Sequence, residues 1–230
     1  MKILGIIPAR GGSKGVPKKN IKLLAGKPLI QYTSEIALRS KYLSKVILSS
    51  DDDEIIKVAG NMGIESPFIR PKHLAGDNSP TIKVVQHALE FYKEQGEFFD
   101  AVCLLQVTSP FRTLQLLNNA IERFILKKTD SLVSVLEVPH VFNPHWTFEA
   151  NENDNLKLAT GEKNIITRRQ ELPKAFIRDG SIYITKTDIV VNDNSLYGNT
   201  IAYIESPKER YVNIDTMEDW EIAENMLKSL

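Results

Sequence analysis

A short segment of glycines and basic residues near the start of the chain has the residue types that bind phosphate. Residues 3–7 form an apolar run of strand length, and RGGSKG follows at residues 10–15. Glycines let a backbone turn sharply, and the N–H groups of such a turn bind anionic oxygens together with nearby cations. We therefore predict a phosphate site here. The alternatives are an ordinary turn after a strand or a solvated basic loop.

The segment does not follow the common phosphate-binding patterns. Neither G-x-x-x-x-G-K-S/T nor G-x-G-x-x-G occurs in it. The prediction depends instead on the combination of residue types directly after the first strand.

A second polar group follows a predicted buried strand at residues 100–106, which ends at Gln106; the segment TSPFR then occupies residues 108–112. Ligands of open α/β sheets bind at the carboxyl ends of the strands, and a buried amide needs hydrogen-bond partners. We therefore place Gln106, Ser109 and Arg112 at the mouth of a ligand site. For Arg112 the alternative is a helix cap or an ion pair with an acidic neighbour.

Four consecutive acidic residues, DDDE at residues 51–54, open a predicted helix. Acidic side chains in the first turn stabilise the positive end of the helix dipole. We interpret the cluster mainly as a cap, with metal binding as the less favoured alternative.

The elements that position these residues alternate along the chain. Periodicity predicts helices at residues 29–39, 80–95, 114–124 and 215–227, and strands at residues 3–7, 45–49, 64–70, 100–106, 131–138, 178–185 and 201–204. This alternation indicates a three-layer α/β fold with a mostly parallel sheet and right-handed crossovers. Residues 139–176 interrupt the rhythm, and a connection of this length is usually functional or an interaction arm.

Composition limits the functions open to the chain. Its 230 residues fit one α/β domain, and 29 Lys and Arg balance 29 Asp and Glu, so no net charge attracts nucleic acid or an anionic membrane. The one cysteine, Cys103, lies in an apolar run, which predicts a core residue and excludes a disulfide framework. We find neither a signal peptide nor an apolar run of membrane-spanning length, and we predict a cytoplasmic protein.

Motifs in chain order resemble those of the acylneuraminate cytidylyltransferases, or CMP-sialic acid synthetases. They are PARGGSKGVPKKN, RPKHLAGD, LLQVTSPFR, RRQELPKAF, DGSIYI and NIDTMEDW, and they extend over nearly the whole chain. The resemblance implies one nucleotide-diphospho-sugar transferase-like domain over residues 1–230. It also implies the reaction of CTP with a nine-carbon 2-keto acid to give a CMP-sugar and pyrophosphate.

The resemblance assigns a set of residues to the nucleotide and its phosphates. They are Arg10, Gly11, Gly12, Ser13, Lys14, Lys19, Asn20, Arg70 and Thr81. Arg10, Lys14 and Lys19 are expected to be catalytic as well, because positive charge on the phosphates stabilises the transfer. A larger residue at Gly11 is expected to be costly in a two-glycine turn. For Arg70 the alternative is a surface arginine that packs against its own loop.

The end of the chain departs from the family's metal motif. That motif is normally Asp-Ile-Asp, and here the triplet is Asn213, Ile214 and Asp215. The resemblance implies Mg²⁺ as the cofactor, with Asp215, also catalytic, and Asn213 as candidate ligands. Positions two apart on an extended strand face the same side, but a neutral amide oxygen binds Mg²⁺ more weakly than a carboxylate. We therefore expect a weaker or water-bridged ion; the alternative for Asp215 is a cap for the last helix.

The resemblance assigns the sugar to residues from separate segments. Gln106 and Tyr183 face the sugar, with a core tyrosine as the alternative for Tyr183. Arg169 and Gln170 match a segment that reaches the active site of a neighbouring subunit, where an arginine attracts the sugar carboxylate. Residues 139–176 are then the dimerisation arm of a homodimer.

Two departures fall in the part that selects the sugar. Leu196 and Tyr197 stand where some family members have two phenylalanines, and His140, Asn143 and His145 occupy the region of a basic arm residue. The leading substrate is N-acetylneuraminate, with legionaminate- or pseudaminate-type sugars and a CMP-Kdo synthetase as alternatives. A rival of another class is a nucleotide-binding scaffold with a degraded metal site.

Overall fold

The computed structural model describes residues 1–229. The strands are β1 (Ile3–Pro8), β2 (Leu23–Leu24), β3 (Lys27–Pro28), β4 (Lys45–Ser49), β5 (Ala101–Leu105), β6 (Ser131–Glu137), β7 (Phe148–Ala150), β8 (Leu156–Leu158), β9 (Phe176–Lys186) and β10 (Ile201–Glu205). The helices are α1 (Leu29–Arg39), α2 (Asp53–Gly60), α3 (Thr81–Glu94), α4 (Leu114–Lys127), α5 (Thr187–Asn192) and α6 (Met217–Leu227). Within residues 1–229, no helix is both long and apolar enough to cross a membrane.

Six strands form one sheet in the order β10-β6-β9-β5-β1-β4. β1 pairs in parallel with β4 and β5, and β10 pairs in parallel with β6. β9 alone runs antiparallel to its neighbours, β5 and β6. The predicted three-layer, mostly parallel sheet is confirmed, with one reversed strand that the sequence pattern did not indicate.

β9 runs antiparallel to β6 because the chain leaves β6 and enters β9 at the same end of the strands. β6 ends at Glu137, and β9 begins at Phe176, which lies directly opposite Glu137. A strand parallel to β6 would need a crossover that returns the chain to the opposite end of the strands. The arm of residues 139–176 makes no such crossover.

Apolar side chains cover both faces of the sheet. Along β1, Ile3 and Ile7 pack in one core cluster, while Leu4 and Ile6 pack in the other, as strand alternation requires. Helices α1, α4 and α6 contribute to the first cluster, and α3 contributes to the second. Cys103 lies in the first cluster, where burial raises the pKa of its thiol to about 12. Its prediction as a core residue is confirmed.

Some element predictions need correction. Residues 64–70 hold two isolated bridges, at Glu65 and Ile69, in place of the predicted strand. Pro67 lies between the bridges and cannot donate a ladder hydrogen bond. α4 also extends beyond its predicted end at residue 124, and α5 had no sequence prediction.

The last helix begins with a capping box and has one exposed apolar residue among its large side chains near the middle. Thr216 is the cap: its hydroxyl accepts from the Asp219 N–H, and Asp219 accepts from the Thr216 N–H in return. The alternative role of Asp215 as the cap is therefore wrong. Ile222 of this helix is 47% exposed, whereas Trp220 and Ala223 are buried.

The arm of residues 139–176 consists of short turns and the β7–β8 hairpin. The buried side-chain amide of Asn143 donates to the Pro173 carbonyl at 2.9 Å, which joins the start of the arm to its end. Large apolar side chains of the arm are exposed: Val141, Phe142, Phe148, Leu156 and Ile165.

Candidate active site

A cleft of about 450 Å³ opens where β1 and β5 end. Predicted site residues in its walls are Arg10, Ser13, Lys14, Lys19, Asn20, Arg70, Thr81, Gln106, Asn213 and Asp215. The fold therefore brings most of the predicted set together at the carboxyl edge of the sheet, where ligands of such sheets bind. The chemical role of each residue stays a prediction.

The glycine segment after β1 packs against two other segments. A Cβ at Gly15 would lie 2.0 Å from the Asp215 carbonyl oxygen, and one at Gly11 would lie 2.5 Å from Asp52 Oδ2. The first contact is with backbone, and the second would push Asp52 out of its helix cap. Gly12 has open space around it. A larger residue at Gly11 is costly, as expected, but the cause is contact with Asp52 and not the backbone geometry of the turn; Gly15 is constrained more tightly, because its contact is with backbone.

The acidic segment after β4 supports the same loop. Asp52 caps α2, with its Oδ1 accepting from the N–H groups of Glu54 and Ile55 at 2.9 and 3.0 Å. Asp51 instead accepts from the Gly11 N–H at 3.1 Å. The capping interpretation is confirmed for Asp52. The Gly11 amide, which we predicted for phosphate, is engaged by Asp51 in this structure, and neither Gly11 nor Gly12 lines the cleft.

Two cations of the glycine segment converge on one carboxylate. Arg10 Nη2 lies 2.7 Å from Asp77 Oδ1, and Lys14 Nζ lies 2.5 Å from Asp77 Oδ2. The Lys14 hydrogen bond is the main cause that lowers the pKa of Asp77. Arg10 and Lys14 thus already hold a two-oxygen anion, and a phosphate group offers them the same acceptors. Sequence reasoning missed Asp77, although it ends the RPKHLAGD motif.

Lys19 and Asn20 join the end of the glycine segment to the rest of the cleft. Lys19 Nζ donates to the Ile214 carbonyl at 2.7 Å and to Asp215 Oδ1 at 3.0 Å. The buried Asn20 amide donates to the Arg10 carbonyl at 2.8 Å. Lys19 therefore places its charge beside Asp215, and Asn20 orders the backbone that carries Arg10.

Arg70 lies in the cleft wall with 4% of its surface exposed. Its Nε donates to Ser49 Oγ at 3.1 Å, and its Nη2 donates to the Ser49 carbonyl. Burial lowers the pKa of the guanidinium to about 10, although Asp51 opposes the shift. The alternative of a surface arginine that packs against its own loop is wrong, because Arg70 is anchored to the end of β4.

Asn213 and Asp215 lie side by side in the cleft, as their spacing predicts. The Asn213 amide donates to Asp215 Oδ2 at 2.6 Å. In residues 1–229, no group of three or more His, Cys, Asp or Glu side chains is placed to hold a metal ion. Mg²⁺ commonly takes only one or two protein oxygens and completes its shell with water and substrate phosphates. One carboxylate and one amide oxygen are enough for an ion of that kind, whose other ligands are water and phosphate. They are too few for a site in which the protein supplies every ligand.

A second cavity, of about 280 Å³, adjoins the cleft and shares Thr81 and Gln106 with it. Tyr183 lines this cavity and is 4% exposed, so it serves both the core and the cavity wall. Burial raises the pKa of its hydroxyl above the ordinary tyrosine value. Arg178 and Tyr197 also line the cavity. The sequence predicts a strand at Arg178 but no role for it in the site.

Gln106 lies at the junction of the two cavities, and a turn of β9 supports it. Gly180 has φ +80°, and a Cβ there would lie 3.3 Å from Gln106 Oε1 and 3.9 Å from Asn213 Oδ1. The buried Asp179 orders this turn, since its Oδ1 accepts from the Ser181 N–H at 2.9 Å. The absence of a side chain at Gly180 therefore leaves room for the side chains of Gln106 and Asn213.

Arg112 lies beneath the cleft, not in its mouth. It is 5% exposed and donates to Ser181 Oγ at 3.1 Å, to Thr33 Oγ1 at 2.9 Å and to the Gln106 carbonyl at 2.6 Å. Burial lowers its pKa to about 10. The expected place at the mouth, and the alternatives of a cap or an ion pair, are wrong: Arg112 fixes the backbone of Gln106 through neutral acceptors. Ser109, also buried, has no hydrogen-bond partner for its hydroxyl within residues 1–229.

Arg169 and Gln170 lie in a short 3-10 turn of the arm, Arg169–Glu171. Both are exposed and line neither cavity. Because we placed them in the active site of a neighbouring subunit, their role stays a prediction.

A cleft lined by basic side chains and an adjoining polar cavity, at the carboxyl ends of the strands of an α/β sheet, suit an enzyme that acts on a phosphate-containing substrate. Comparison with known proteins narrows this class. The chain belongs to the cytidylyltransferase family, whose model matches residues 4–219. It is therefore an enzyme of the nucleotidyltransferase class.

Individual relatives match over most of the chain. The chain is 37% identical to the pseudaminic acid cytidylyltransferase of Campylobacter jejuni, over 99% of this chain and 97% of that one. It is 36% identical to the CMP-N,N'-diacetyllegionaminic acid synthase of Legionella pneumophila, over 99% and 97% of the two chains. The N-acylneuraminate cytidylyltransferase of Escherichia coli is 31% identical over 96% of this chain and 51% of its own.

The solved structure of CMP:2-keto-3-deoxy-manno-octonic acid synthetase complexed with CTP matches with a TM-score of 0.73. The match covers 100% of both chains at 17% identity, so it shows a shared fold alone.

Proposed function

We propose that the enzyme transfers the cytidylyl group of CTP to a nonulosonic acid. The anomeric hydroxyl of the sugar attacks the α-phosphorus, the bond from that phosphorus to the bridging oxygen of the β-phosphate breaks, and the hydroxyl proton is released. The products are the CMP-sugar and pyrophosphate. The observation that carries the proposal is the junction of the two cavities at Thr81 and Gln106, which lets a triphosphate and a sugar meet. Since the donor is CTP, we expect the enzyme to act in the cytoplasm.

In this proposal, residues of the cleft hold and orient the triphosphate. Arg10 and Lys14 exchange the Asp77 carboxylate for phosphate oxygens, since both cations already converge on one anion. Lys19 adds positive charge beside Asp215. Fixed charges around a transferring phosphoryl group are usually a large part of catalysis, and alignment of the two reactants supplies much of the rest.

We further propose that Asp215 and Asn213 hold Mg²⁺ together with phosphate oxygens and water. The ion would neutralise charge on the phosphates. The donor set fits this role because both side chains face the cleft two positions apart.

The sugar is a nonulosonic acid in this proposal because the relatives that match nearly end to end are named for such sugars. The identities to the pseudaminic and legionaminic enzymes are 37% and 36%, against 31% for the N-acylneuraminate enzyme. The alternatives that the sequence left open beside N-acetylneuraminate therefore stand first among the sugars to test.

The direct test is pyrophosphate release from CTP with purified enzyme, Mg²⁺ and a panel of keto-acid sugars. The panel holds pseudaminic, N,N'-diacetyllegionaminic, N-acetylneuraminic and Kdo acids. We expect turnover with at least one nonulosonic acid and much less with Kdo. Turnover with Kdo alone would contradict the proposed substrate class. CTP binding that is insensitive to Mg²⁺, with no turnover for any sugar, would favour the scaffold alternative that Asn213 suggests.

We also propose a homodimer in which the arm covers the neighbouring subunit. The support is the exposed apolar surface of the arm and the distance of Arg169 and Gln170 from the cavities of their own chain. A mixing experiment tests it: Arg169→Ala and Lys14→Ala enzymes, each nearly inactive, should recover activity when refolded together, because a mixed dimer contains one intact site. A monomer in solution, or no recovery in a dimer, would contradict the proposal.

A further inference from the structure

The second cavity contains an arginine that the mechanism has not used. Arg178 lies on β9 and lines this cavity, but it does not line the nucleotide cleft. The cavity also has polar walls from Tyr183, Tyr197 and Asn194 and an apolar wall from residues of β5, α3 and the segment before β10. Its size and mixed lining suit a polar organic group.

The guanidinium of Arg178 has most of its donors open. An arginine has five N–H donors. Arg178 is exposed, and among the residues that the structure describes its guanidinium donates to Tyr183 Oη at a long 3.5 Å and interacts with Tyr197, while no carboxylate lies within ion-pair distance. The other arginines of the site differ, because Arg10 pairs with Asp77, and both Arg70 and Arg112 are buried with hydrogen-bonded donors.

The chemistry of the substrate decides which group can reach Arg178. In a 2-keto acid sugar, the carboxylate and the attacking anomeric hydroxyl lie on adjacent carbons, so both must lie near the α-phosphate. That end belongs at Gln106 and Thr81, the residues common to both cavities. Arg178 lines only the second cavity and therefore faces the far part of the sugar, whose substituents are hydroxyl and acylamino groups.

We propose that Arg178, with Tyr183, binds the carbonyl oxygen of an acylamino group on the far part of the sugar and so selects di-N-acylated nonulosonic acids. The inference rests on the proposed function. A guanidinium and a phenol both donate to a carbonyl oxygen, and the neighbouring apolar wall accommodates the acyl methyl group. A sugar with a hydroxyl in that position has an oxygen that extends less far from the sugar, and it has no acyl methyl group to pack against the apolar wall.

The test compares Arg178→Met with the wild-type enzyme and with Arg39→Met, a control at the exposed end of α1. The substrates are pseudaminic or N,N'-diacetyllegionaminic acid, which carry two acylamino groups, and N-acetylneuraminic acid, which carries one. The measured quantity is the ratio of kcat/KM for the di-N-acylated sugar to that for the mono-N-acylated sugar. Hydrogen bonds from charged groups predict a fall in this ratio of about tenfold to a hundredfold. KM for CTP and the unfolding temperature should stay at the wild-type values, and Arg39→Met should leave the ratio unchanged.

An equal loss for both sugars, or an unchanged ratio, overturns the assignment of Arg178 while leaving the proposed function intact. A wild-type enzyme that uses the mono-N-acylated sugar better also overturns it. A wild-type enzyme that uses no nonulosonic acid overturns the proposed function itself, and this result comes from the wild type alone. Arg178→Lys serves as a second variant, because it keeps the positive charge but lacks the planar guanidinium with its paired donors. Its ratio of the two kcat/KM values should lie between those of Arg178→Met and the wild-type enzyme.

Discussion

The two adjoining cavities differ in how their charges are arranged and in how their walls are built. In the nucleotide cleft, Arg10, Lys14 and Lys19 all contact carboxylates of the same cleft. In the second cavity, the partners of Arg178 within residues 1–229 are the hydroxyls of Tyr183 and Tyr197 and no carboxylate. Carboxylates therefore pair with the cations of the cleft, and in the proposed function a triphosphate replaces the Asp77 carboxylate, whereas Arg178 keeps donors that in our proposal bind a neutral group.

The walls differ in a related way. Loops that directly follow the parallel strands β1 and β5 supply much of the cleft, so their contributions are local in sequence. The second cavity combines the reversed strand β9 with the start of α3 and residues 194–197. We infer that the cleft carries the general chemistry and that the second cavity carries the choice of acceptor.

The largest expected effect comes from removing a phosphate-binding cation. Lys14→Ala should lower kcat/KM for CTP by about a hundredfold or more, because charge that stabilises the transferring group is lost. Lys18→Ala is the matched control, since Lys18 belongs to the same loop but pairs with Glu54 at 2.6 Å, outside the cleft. Steady-state kinetics with varied CTP measures both variants. An equal fall in kcat/KM for Lys14→Ala and Lys18→Ala would mean that a lysine inside the cleft matters no more than one outside it.

The next effect concerns the proposed ion. Asp215→Ala should lower turnover by about tenfold to thirtyfold and raise the Mg²⁺ concentration needed for half-maximal rate, because the only carboxylate of the donor set is removed. Glu218→Ala, an exposed acid in the first turn of α6, is the control. A magnesium titration of each variant provides the measurement. An unchanged titration for Asp215→Ala would contradict its role.

A smaller effect should separate the sugar from the nucleotide. Gly180→Ala should raise KM for the sugar by about threefold to tenfold, since the new Cβ, 3.3 Å from Gln106 Oε1, shifts that side chain, and should change KM for CTP less, because Asn213 at 3.9 Å stays in ordinary contact. Gly161→Ala is matched in backbone strain, with φ +75° against +80°, but has nothing within 4 Å. Both should lose similar stability in a thermal unfolding measurement, roughly 1 kcal/mol. A similar KM change in both would indicate a general effect of strain.

The smallest effect is expected from the carboxylate that occupies the phosphate position. Asp77→Asn keeps the shape and removes the negative charge, so CTP no longer competes with an ion pair. KM for CTP should fall by about threefold, as expected for a partly exposed ion pair. Asp53→Asn, an exposed acid in the first turn of α2, is the control. A rise in KM would mean that Asp77 positions the cations rather than competing with the nucleotide.

Much of the cleft could be predicted because its chemistry follows strands that sequence patterns reveal. The glycine segment after β1 and Gln106 after β5 needed only the rule that ligands bind at carboxyl ends of strands. Asp77 could not be predicted, because an acid is not expected among phosphate-binding cations. Asp51 was assigned to a helix cap, and its bond to Gly11 depends on how β1 and β4 pair.

The second cavity was less accessible to sequence reasoning for a topological reason. A polar residue on β9 can be assigned to a cavity only when the direction of the strand is known, and the sequence pattern did not indicate the reversal. Tyr183, which lines the second cavity, was assigned to the sugar through a family resemblance, whereas Arg178, five positions earlier, had no such guide. Arg112 was misplaced because strand-end position does not show whether a side chain points outward or beneath the loop.

The most direct test of the central claim is a crystal structure of the enzyme with CTP and Mg²⁺. We predict that the triphosphate lies between Arg10 and Lys14 in the place of the Asp77 carboxylate, with its α-phosphate toward Gln106 and the second cavity empty of nucleotide. Density for CTP in the second cavity, or away from Arg10 and Lys14, would contradict the account.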